Sequence, residues 1–556
     1  MLAALGLAVL VVLVYSPLLR HGFREADDFV LAAAAQLLGG LAPDRLDMAG
    51  VLGGPELNQA LSRTAPVSLL TVAVLFRWLG NNPSIQLFAV IVAHLAALYL
   101  LFFLLRLWQP DRSMVWPAIL LAALHPIAAG TVAGLSSLAV ILAMSYTLLA
   151  MAFTLLMKQE GPIRLLFPVL LFSFLAAACD VAGLIVLPAV LLTAFAGPRK
   201  PEENPWPRRI AAPLASLAGV VLIAYYMNSF GRPVLYLENL RQWTPSRFPI
   251  HAAWLLRGWF LPVDPTMPRG PEWLGPVFIA LLSAALMSAT MAGFRKHPRL
   301  AIWPLLALLT LLPAATNLEL PGPPARTTAW AALYPSLIFL AIWVADLFSF
   351  GMSRRRKIIV IAMLVFLVGP QTFRLEQVLT HRALLVNRMG RELAKLVTDT
   401  PNGTEVLLPT DSSRLGLMEA AFLAAHYSGM PPRQVGYRML VGGRLVLRDN
   451  AAPSGERLGI FARLPLEEQK VFYGFSDGHQ HLMDLTPLIT KQTQAAMEAY
   501  RRSHRLPPPL MLHDERAIAD WSPAASTDQN EPVENPIWFV EGMMLRLHPR
   551  AGRKIF

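Results

Sequence analysis

The chain has 556 residues, 55% of them hydrophobic and only 15% charged, with a mean hydropathy of +0.48. That balance excludes an ordinary water-soluble globular protein and makes lipid the solvent for much of the chain. Its 48 Lys and Arg against 36 Asp and Glu leave a formal charge of +12, a sign open to nucleic acid, anionic lipid or membrane topology until the basic residues are placed. The single cysteine, Cys179, excludes any intramolecular disulfide.

In chain order, apolar runs of about 20 residues recur, and in hydrocarbon such runs must be helices because every backbone N–H and C=O needs an internal partner. The first, Leu2 to Leu19, lacks the basic start and small-residue cleavage site of a secretory signal, so it reads as a retained helix. About eleven spans of bilayer length are predicted, near 2–19, 84–107, 115–131, 136–156, 163–179, 181–196, 210–228, 275–294, 300–315, 327–348 and 357–371.

Positive charge gathers in alternate connections: Arg106 with Arg112, Lys158 with Arg164, Arg199-Lys200 with Arg208-Arg209, Arg295-Lys296 with Arg299, and Arg354 to Lys357. The positive-inside rule makes these cytoplasmic and puts the other connections outside, among them the His125-Pro126 and Cys179-Asp180 turns. An odd count of spans then sets the amino terminus inside and the carboxy-terminal part outside. Parity also decides Pro66 to Leu79. If that apolar stretch crossed, every later basic loop would fall on the wrong side, so it reads as an interfacial or re-entrant helix within a long first outer loop, residues 20–83.

The expected architecture is therefore an α-helical polytopic membrane domain over 1–371, followed by a soluble α+β domain over 372–556 on the outer face. In that second part, helical spacing covers Leu375 to Val397, and short runs suited to strands follow at Glu405 to Leu408, Arg444 to Leu447, Leu458 to Phe461 and Lys470 to Phe475. His479 and His481 could share a strand face, but no third ligand stands at metal-site spacing and Ser476-Asp477-Gly478 is a turn signal, so no metal site is expected. No nucleotide loop, nucleophile elbow or nucleic-acid module appears.

The chemistry concentrates in Phe23-Arg24-Glu25-Ala26-Asp27-Asp28-Phe29, just past the outer end of the first span. Carboxylates there can act as a general base toward a hydroxyl or hold a divalent cation that screens a phosphate. They can equally cap the helix that follows, Phe29 to Leu38, where the helix dipole favours an acid. The two roles are compatible.

Four stretches carry a family resemblance: Asp27-Asp28; Arg63-Thr64-Ala65-Pro66-Val67-Ser68 leading through Asn82-Pro83 to His94; Leu124-His125-Pro126-Ile127; and Leu333-Tyr334-Pro335-Ser336. In their order the chain resembles the GT-C superfamily of membrane glycosyltransferases, most closely the protein O-mannosyltransferase branch that bears tetratricopeptide repeats, although no repeat is present here. The resemblance implies an inverting enzyme of the bacterial inner membrane that moves a sugar from a polyprenyl-phosphate donor to an outer-face protein, lipid or glycan acceptor. It needs no nucleic acid and no obligatory cofactor, with a divalent cation as an option. It implies Asp28 or Asp27 as catalytic base; Arg24, Arg63, His125 and Arg326 as groups holding the donor phosphate; and Asp180 and Glu25 as helix-end polar groups on the acceptor side.

The chain also departs from the family. Ala128, Ala129 and Gly130 stand where a His and a Glu are usual after the His-Pro pair, Cys179-Asp180 replaces a Lys-Glu pair, and Trp330 holds the place of an arginine, with Arg326 one turn earlier. These departures keep open a non-catalytic GT-C-like scaffold or partner subunit presenting its soluble domain. A transporter is less suited, because ionisable residues such as Asp180 and Asp346 are few in the spans.

Overall fold

The computed structural model describes residues 2–21, 28, 31, 66–79, 82–108, 115–160, 163–196, 206–229, 302–317, 327–349 and 368–380, parts of 383–395, and short strands between 405 and 548. The chain divides into two compact units, Met1–Gly39 with Asn58–His381, and Gly40–Leu57 with Arg382–Phe556.

The described part of the first unit is helical: α1 (Leu2–Tyr15), α2 (Pro66–Leu79), α3 (Pro83–Trp108), α4 (Val115–Leu124), α5 (Pro126–Val132), α6 (Leu138–Glu160), α7 (Leu166–Cys179), α8 (Val186–Ala196), α9 (Trp206–Ser229), α10 (Ile302–Asn317) and α11 (Thr327–Ser349). Tight 3-10 turns at Ser16–His21, Ile163–Leu165 and Val181–Ile185 extend α1 and open α7 and α8. Among the described residues α3 and α6 are each long and apolar enough to cross a membrane, whereas α4 and α5 reach that length only as a pair, bent by 53° at their break.

Several helices are apolar on every side, as a lipid solvent requires. On α1, Leu7, Val11 and Tyr15 point into the bundle, as does Leu18 in the turn that extends it, while Leu5, Val9 and Leu13 point out, Leu13 being 66% exposed. On α9, Ile210, Leu214, Leu217 and Val221 are likewise exposed. In water such outward stripes would favour aggregation; against acyl chains they cost nothing. Where helices meet, small residues let the backbones close up. A Cβ added at Gly219 of α9 would lie 2.5 Å from the Leu170 carbonyl oxygen of α7, and beside it Ser173 Oγ donates to Ser216 Oγ at 2.9 Å.

The bundle has two chemically different ends. At one, Gln159 Nε2 donates to the Leu107 carbonyl at 3.2 Å, joining the basic C-terminal turns of α3 and α6, which hold Arg106 and Lys158. Trp108 and Trp303 are in edge contact at 4.7 Å, and Trp303 Nε1 donates to Asp346 Oδ2 at 2.7 Å. Asp346 is thus fully buried, not facing water as its position near a span end suggests. At the other end, Ser84 Oγ donates to the Leu19 carbonyl at 2.7 Å, and Ser68 Oγ donates to the Cys179 carbonyl.

Those last contacts fix α2. Its start is tied to the end of α7, and only residues 80–82 separate its last turn from the start of α3 at the same end. Its 14 residues reach about 21 Å, short of a hydrocarbon core of about 30 Å. The helix runs from the Cys179 turn to the start of α3, and its outer face presents Leu70, Val74 and the 81% exposed Trp78.

The span expected as one helix over 115–131 is broken between α4 and α5, because Pro126 has no N–H to continue the ladder. His125 N still donates to the Leu121 carbonyl at 3.0 Å, but Ala128 N turns to the His125 carbonyl at 2.8 Å and Ile127 N to His125 Nδ1 at 3.2 Å. The carbonyls of Ala123 and Leu124 lose their helical donors. Hydroxyls from distant helices replace them: Tyr15 Oη donates to Ala123 and Thr372 Oγ1 to Leu124. Thr372 lies on helical residues 368–380, which run through the expected domain boundary without interruption.

In the second unit β1 (Glu405–Leu407), β3 (Lys470–Phe475) and β4 (Leu482–Asp484) form one sheet in the order β1-β3-β4, with β1 and β3 parallel. The strands β2 (Ile460–Arg463), β5 (Leu510–Met511), β6 (Ile537–Glu541) and β7 (Met544–His548) form an antiparallel sheet in the order β2-β6-β7-β5.

Replacing Tyr15 by Phe keeps the ring but strands the Ala123 carbonyl in an apolar surround. The variant is expected to lose about 1–3 kcal/mol of stability, read as a lower thermal midpoint in lipid nanodiscs, with the outward-facing Leu13→Val as a near-neutral control. Equal midpoints for Y15F and wild type would show that the carbonyl is satisfied otherwise.

Candidate functional site

Asp28 has a helical backbone and is fully buried. Its Oδ1 reaches across the chain and accepts from the backbone N–H of Ser136 at 2.9 Å. Ser136 lies in the turn between α5 and α6, where Leu138 N donates to Leu135 O and Ile141 N to Ser137 O. Ser137 is thus the capping residue of α6, a position where the helix macrodipole stabilises the nearby carboxylate.

His125 is buried, with an extended backbone at φ −70°, ψ 141°, and it caps α5 by accepting from Ile127 N through Nδ1. Since Nδ1 is the acceptor, the hydrogen bond assigns the ring proton of the neutral imidazole to Nε2. Asp180 plays the same local role at the α7 end: its Oδ1 accepts from Ala182 N at 2.8 Å and caps the 3-10 turn at 181–185. Burial pushes its carboxyl pKa up to about 6 from 3.8, against the opposing pull of the Ala182 bond. A Cβ at Gly183 in that turn would lie 1.9 Å from the Ala176 carbonyl oxygen, so only glycine fits.

Behind this end, α1, α3 and α11 meet in a buried aromatic group. His94 Nδ1 lies 2.8 Å from Tyr334 Oη, with their rings edge to face at 5.6 Å, and Tyr15 meets the same imidazole edge-on at 5.9 Å. Two of the resemblance-bearing stretches, those holding His94 and Leu333 to Ser336, are thereby joined. One turn before Tyr334, Trp330 packs on α5: a Cβ at Gly130 would lie 2.3 Å from Trp330 Cγ and 2.7 Å from its Cβ. The indole is buried and its Nε1 has no hydrogen-bond partner among the described residues. Two departures from the family pattern, a glycine after the His-Pro pair and a tryptophan for an arginine, are thus one steric contact.

The structure therefore brings Asp28, His125 and Asp180 to the same end of the bundle, each engaging a backbone N–H. Asp27, Arg24, Glu25, Arg63 and Arg326 lie outside the described residues, as do His479 and His481. Among the described residues no group of three or more His, Cys, Asp and Glu gathers as a metal site would. Sequence reasoning missed Tyr15, Thr372, Ser136 and Ser137. The first two carry no local signal, since their partners lie 108 and 248 residues away. The serine pair carries one: two hydroxyl residues just before an apolar run read as a helix start.

No protein-family model matches this chain, and no curated protein sequence does. Among solved structures it is similar to ArnT from Cupriavidus metallidurans bound to undecaprenyl phosphate, at 13% identity over 85% of this chain and 92% of that one, with a TM-score of 0.45. It is also similar to the Archaeoglobus fulgidus oligosaccharyltransferase tethered with an acceptor peptide, at 11% identity over 78% of this chain and 64% of that one, with a TM-score of 0.40.

Two outcomes test this geometry. Gly130→Ala is expected to cost about 1–3 kcal/mol by overpacking, and much of that cost should vanish when Trp330 is already Leu. A double-mutant cycle of thermal midpoints with no coupling would refute the contact. Asp180, with its folded pKa raised, holds its proton between pH 3.8 and about 6, where the unfolded chain has released it. Stability should therefore fall as pH rises through that window, with a limiting slope of roughly 1.4 kcal/mol per pH unit, and level off above it. Subtracting the pH profile of Asp180→Asn from that of wild type isolates this contribution, and a difference without slope between pH 4 and about 6 would refute it.

Proposed function

We propose that the chain is a membrane glycosyltransferase that transfers a sugar from a polyprenyl-phosphate donor to an acceptor hydroxyl at the acid-histidine end of the bundle. The observation that carries this reading is Asp28: a fully buried carboxylate of the first loop, pinned by a backbone N–H at the exit of the broken span. The bent span, the His94–Tyr334 pair and the sequence stretches that resemble the GT-C superfamily support it.

In the proposed reaction Asp28 removes the proton of the acceptor hydroxyl while that oxygen attacks the anomeric carbon; the bond from that carbon to the phosphate oxygen breaks, the configuration inverts, and the phosphate departs on its polyprenyl carrier. Arg24, Arg63 and Arg326, with the Nε2–H of His125, stabilise the phosphate as its negative charge grows. Arginine suits the task because its planar fork pairs with two phosphate oxygens at once. Asp27 is the alternative base, and Asp180 with Glu25 orients the acceptor. The amino terminus lies in the cytoplasm of a bacterial cell, the site opens on the outer face of the inner membrane, and an α+β domain over 372–556 presents the acceptor.

A non-catalytic scaffold is the second reading, and the Gly130–Trp330 contact favours it, since an indole fills space where the resemblance implies charged groups. Exchanging Asp28 and Asp27 for Asn, singly and together, decides between the two. With protein inserted at normal levels, Asp28→Asn should lower transfer to outer-face acceptors by about 100-fold or more, the lower bound for losing a general base. A smaller loss is expected from Asp27→Asn. Unchanged outer-face glycans in the double variant would establish the scaffold.

A further inference from the structure

We propose that the turn preceding α6 is a sugar-binding subsite, in which the hydroxyls of Ser136 and Ser137 hold the hydroxyl groups of a sugar beside Asp28. The inference rests on the glycosyl-transfer reading and specifies where that reaction grips its carbohydrate.

Ser136 Oγ and Ser137 Oγ are both buried, and neither has a hydrogen-bond partner among the described residues. Ser137 as a residue is fully buried. Two adjacent orphaned hydroxyls are unusual, because buried polar atoms are nearly always paired and leaving one unpaired is costly. The position makes it more so. Ser137 occupies the capping place of α6, its carbonyl accepting from Ile141 N at 3.1 Å, where a serine side chain ordinarily bonds an amide of the first helical turn. That bond is not made, so the hydroxyl is left over from the helix. Ser136 uses its backbone N–H to hold Asp28 Oδ1 at 2.9 Å, which sets its own side chain in the same turn as the carboxylate.

The chemistry of the turn selects the ligand. A phosphate here would lie against the Asp28 carboxylate and be repelled. A neutral polyol fits, since serine hydroxyls donate and accept at once, as sugar hydroxyls do. The sugar could be the one on the donor lipid or one belonging to the acceptor.

The test uses full-length protein in nanodiscs, with wild type compared against Ser136→Ala, Ser137→Ala and the double variant. In the donor arm, thermal shifts and affinities are measured with undecaprenyl phosphate alone and with the same lipid carrying single hexoses or pentoses. In the acceptor arm, methyl glycosides of those sugars are added over the bare lipid. We expect at least one sugar to stabilise wild type beyond the bare carrier, and the double variant to bind that ligand about tenfold more weakly while its shift with the bare carrier persists. Without ligand the double variant should melt no lower than wild type, since it lacks only unpaired hydroxyls. A gain confined to the lipid-linked sugars assigns the subsite to the donor; a gain from the methyl glycosides assigns it to the acceptor. A sugar-dependent shift that survives in the double variant, or a lower intrinsic midpoint showing that the hydroxyls serve the helix or a structural water, would overturn the subsite. Binding of the bare carrier with no gain from any sugar would overturn it while leaving the glycosyl-transfer reading intact; no binding of any lipid would count against both.

Discussion

A proline inside a buried apolar helix frees backbone carbonyls that only the tertiary structure can satisfy. In water, the carbonyls released by a helix break would be hydrated at little cost. In hydrocarbon each must find a donor from within the protein. Pro126 removes one donor outright, and His125 diverts the N–H groups of Ile127 and Ala128 to itself. The Ala123 and Leu124 carbonyls are then met by Tyr15 of the first helix and Thr372 near the end of the unit. Two remote parts of the chain are thus fastened to one break.

The direction taken by α5 follows from that fastening and determines what lies beyond it. After the 53° bend, α5 packs on α11, and the absence of a side chain at Gly130 lets Trp330 fill the contact. Its last turn closes through Ala133 N to Ala129 O and Gly134 N to Thr131 O, after which the chain reverses into α6. The Ser136 N–H is left for Asp28 in that reversal. The first loop is therefore tied to the exit of the broken span, and the carboxylate inherits its position from the same proline that disrupted the helix.

Much of the membrane unit was legible because it depends on local composition. The starts and ends of α3, α6, α9 and α11 fall within a few residues of the apolar runs. Asp28, His125 and Asp180 were legible as polar residues at the helix ends, and each accepts from a backbone N–H there. What could not be read was everything that depends on partners distant in sequence. His125-Pro126 announces a break, yet nothing nearby says that Tyr15 and Thr372 will satisfy it. Asp346 looked able to face water, but Trp303 from the preceding helix encloses it with a hydrogen bond. Ser136 and Ser137 read as an ordinary helix start, and only the full set of hydrogen bonds shows that their hydroxyls are not used as caps.

The exchange of charged groups for Gly130 and Trp330 has a further physical meaning. At position 330 an indole fills the space against the backbone of α5, where a longer side chain would have to find another path. Conversely, any side chain at 130 would collide with the indole. With the indole in place, position 130 admits only glycine. The interior at this end keeps a carboxylate, an imidazole and hydroxyls.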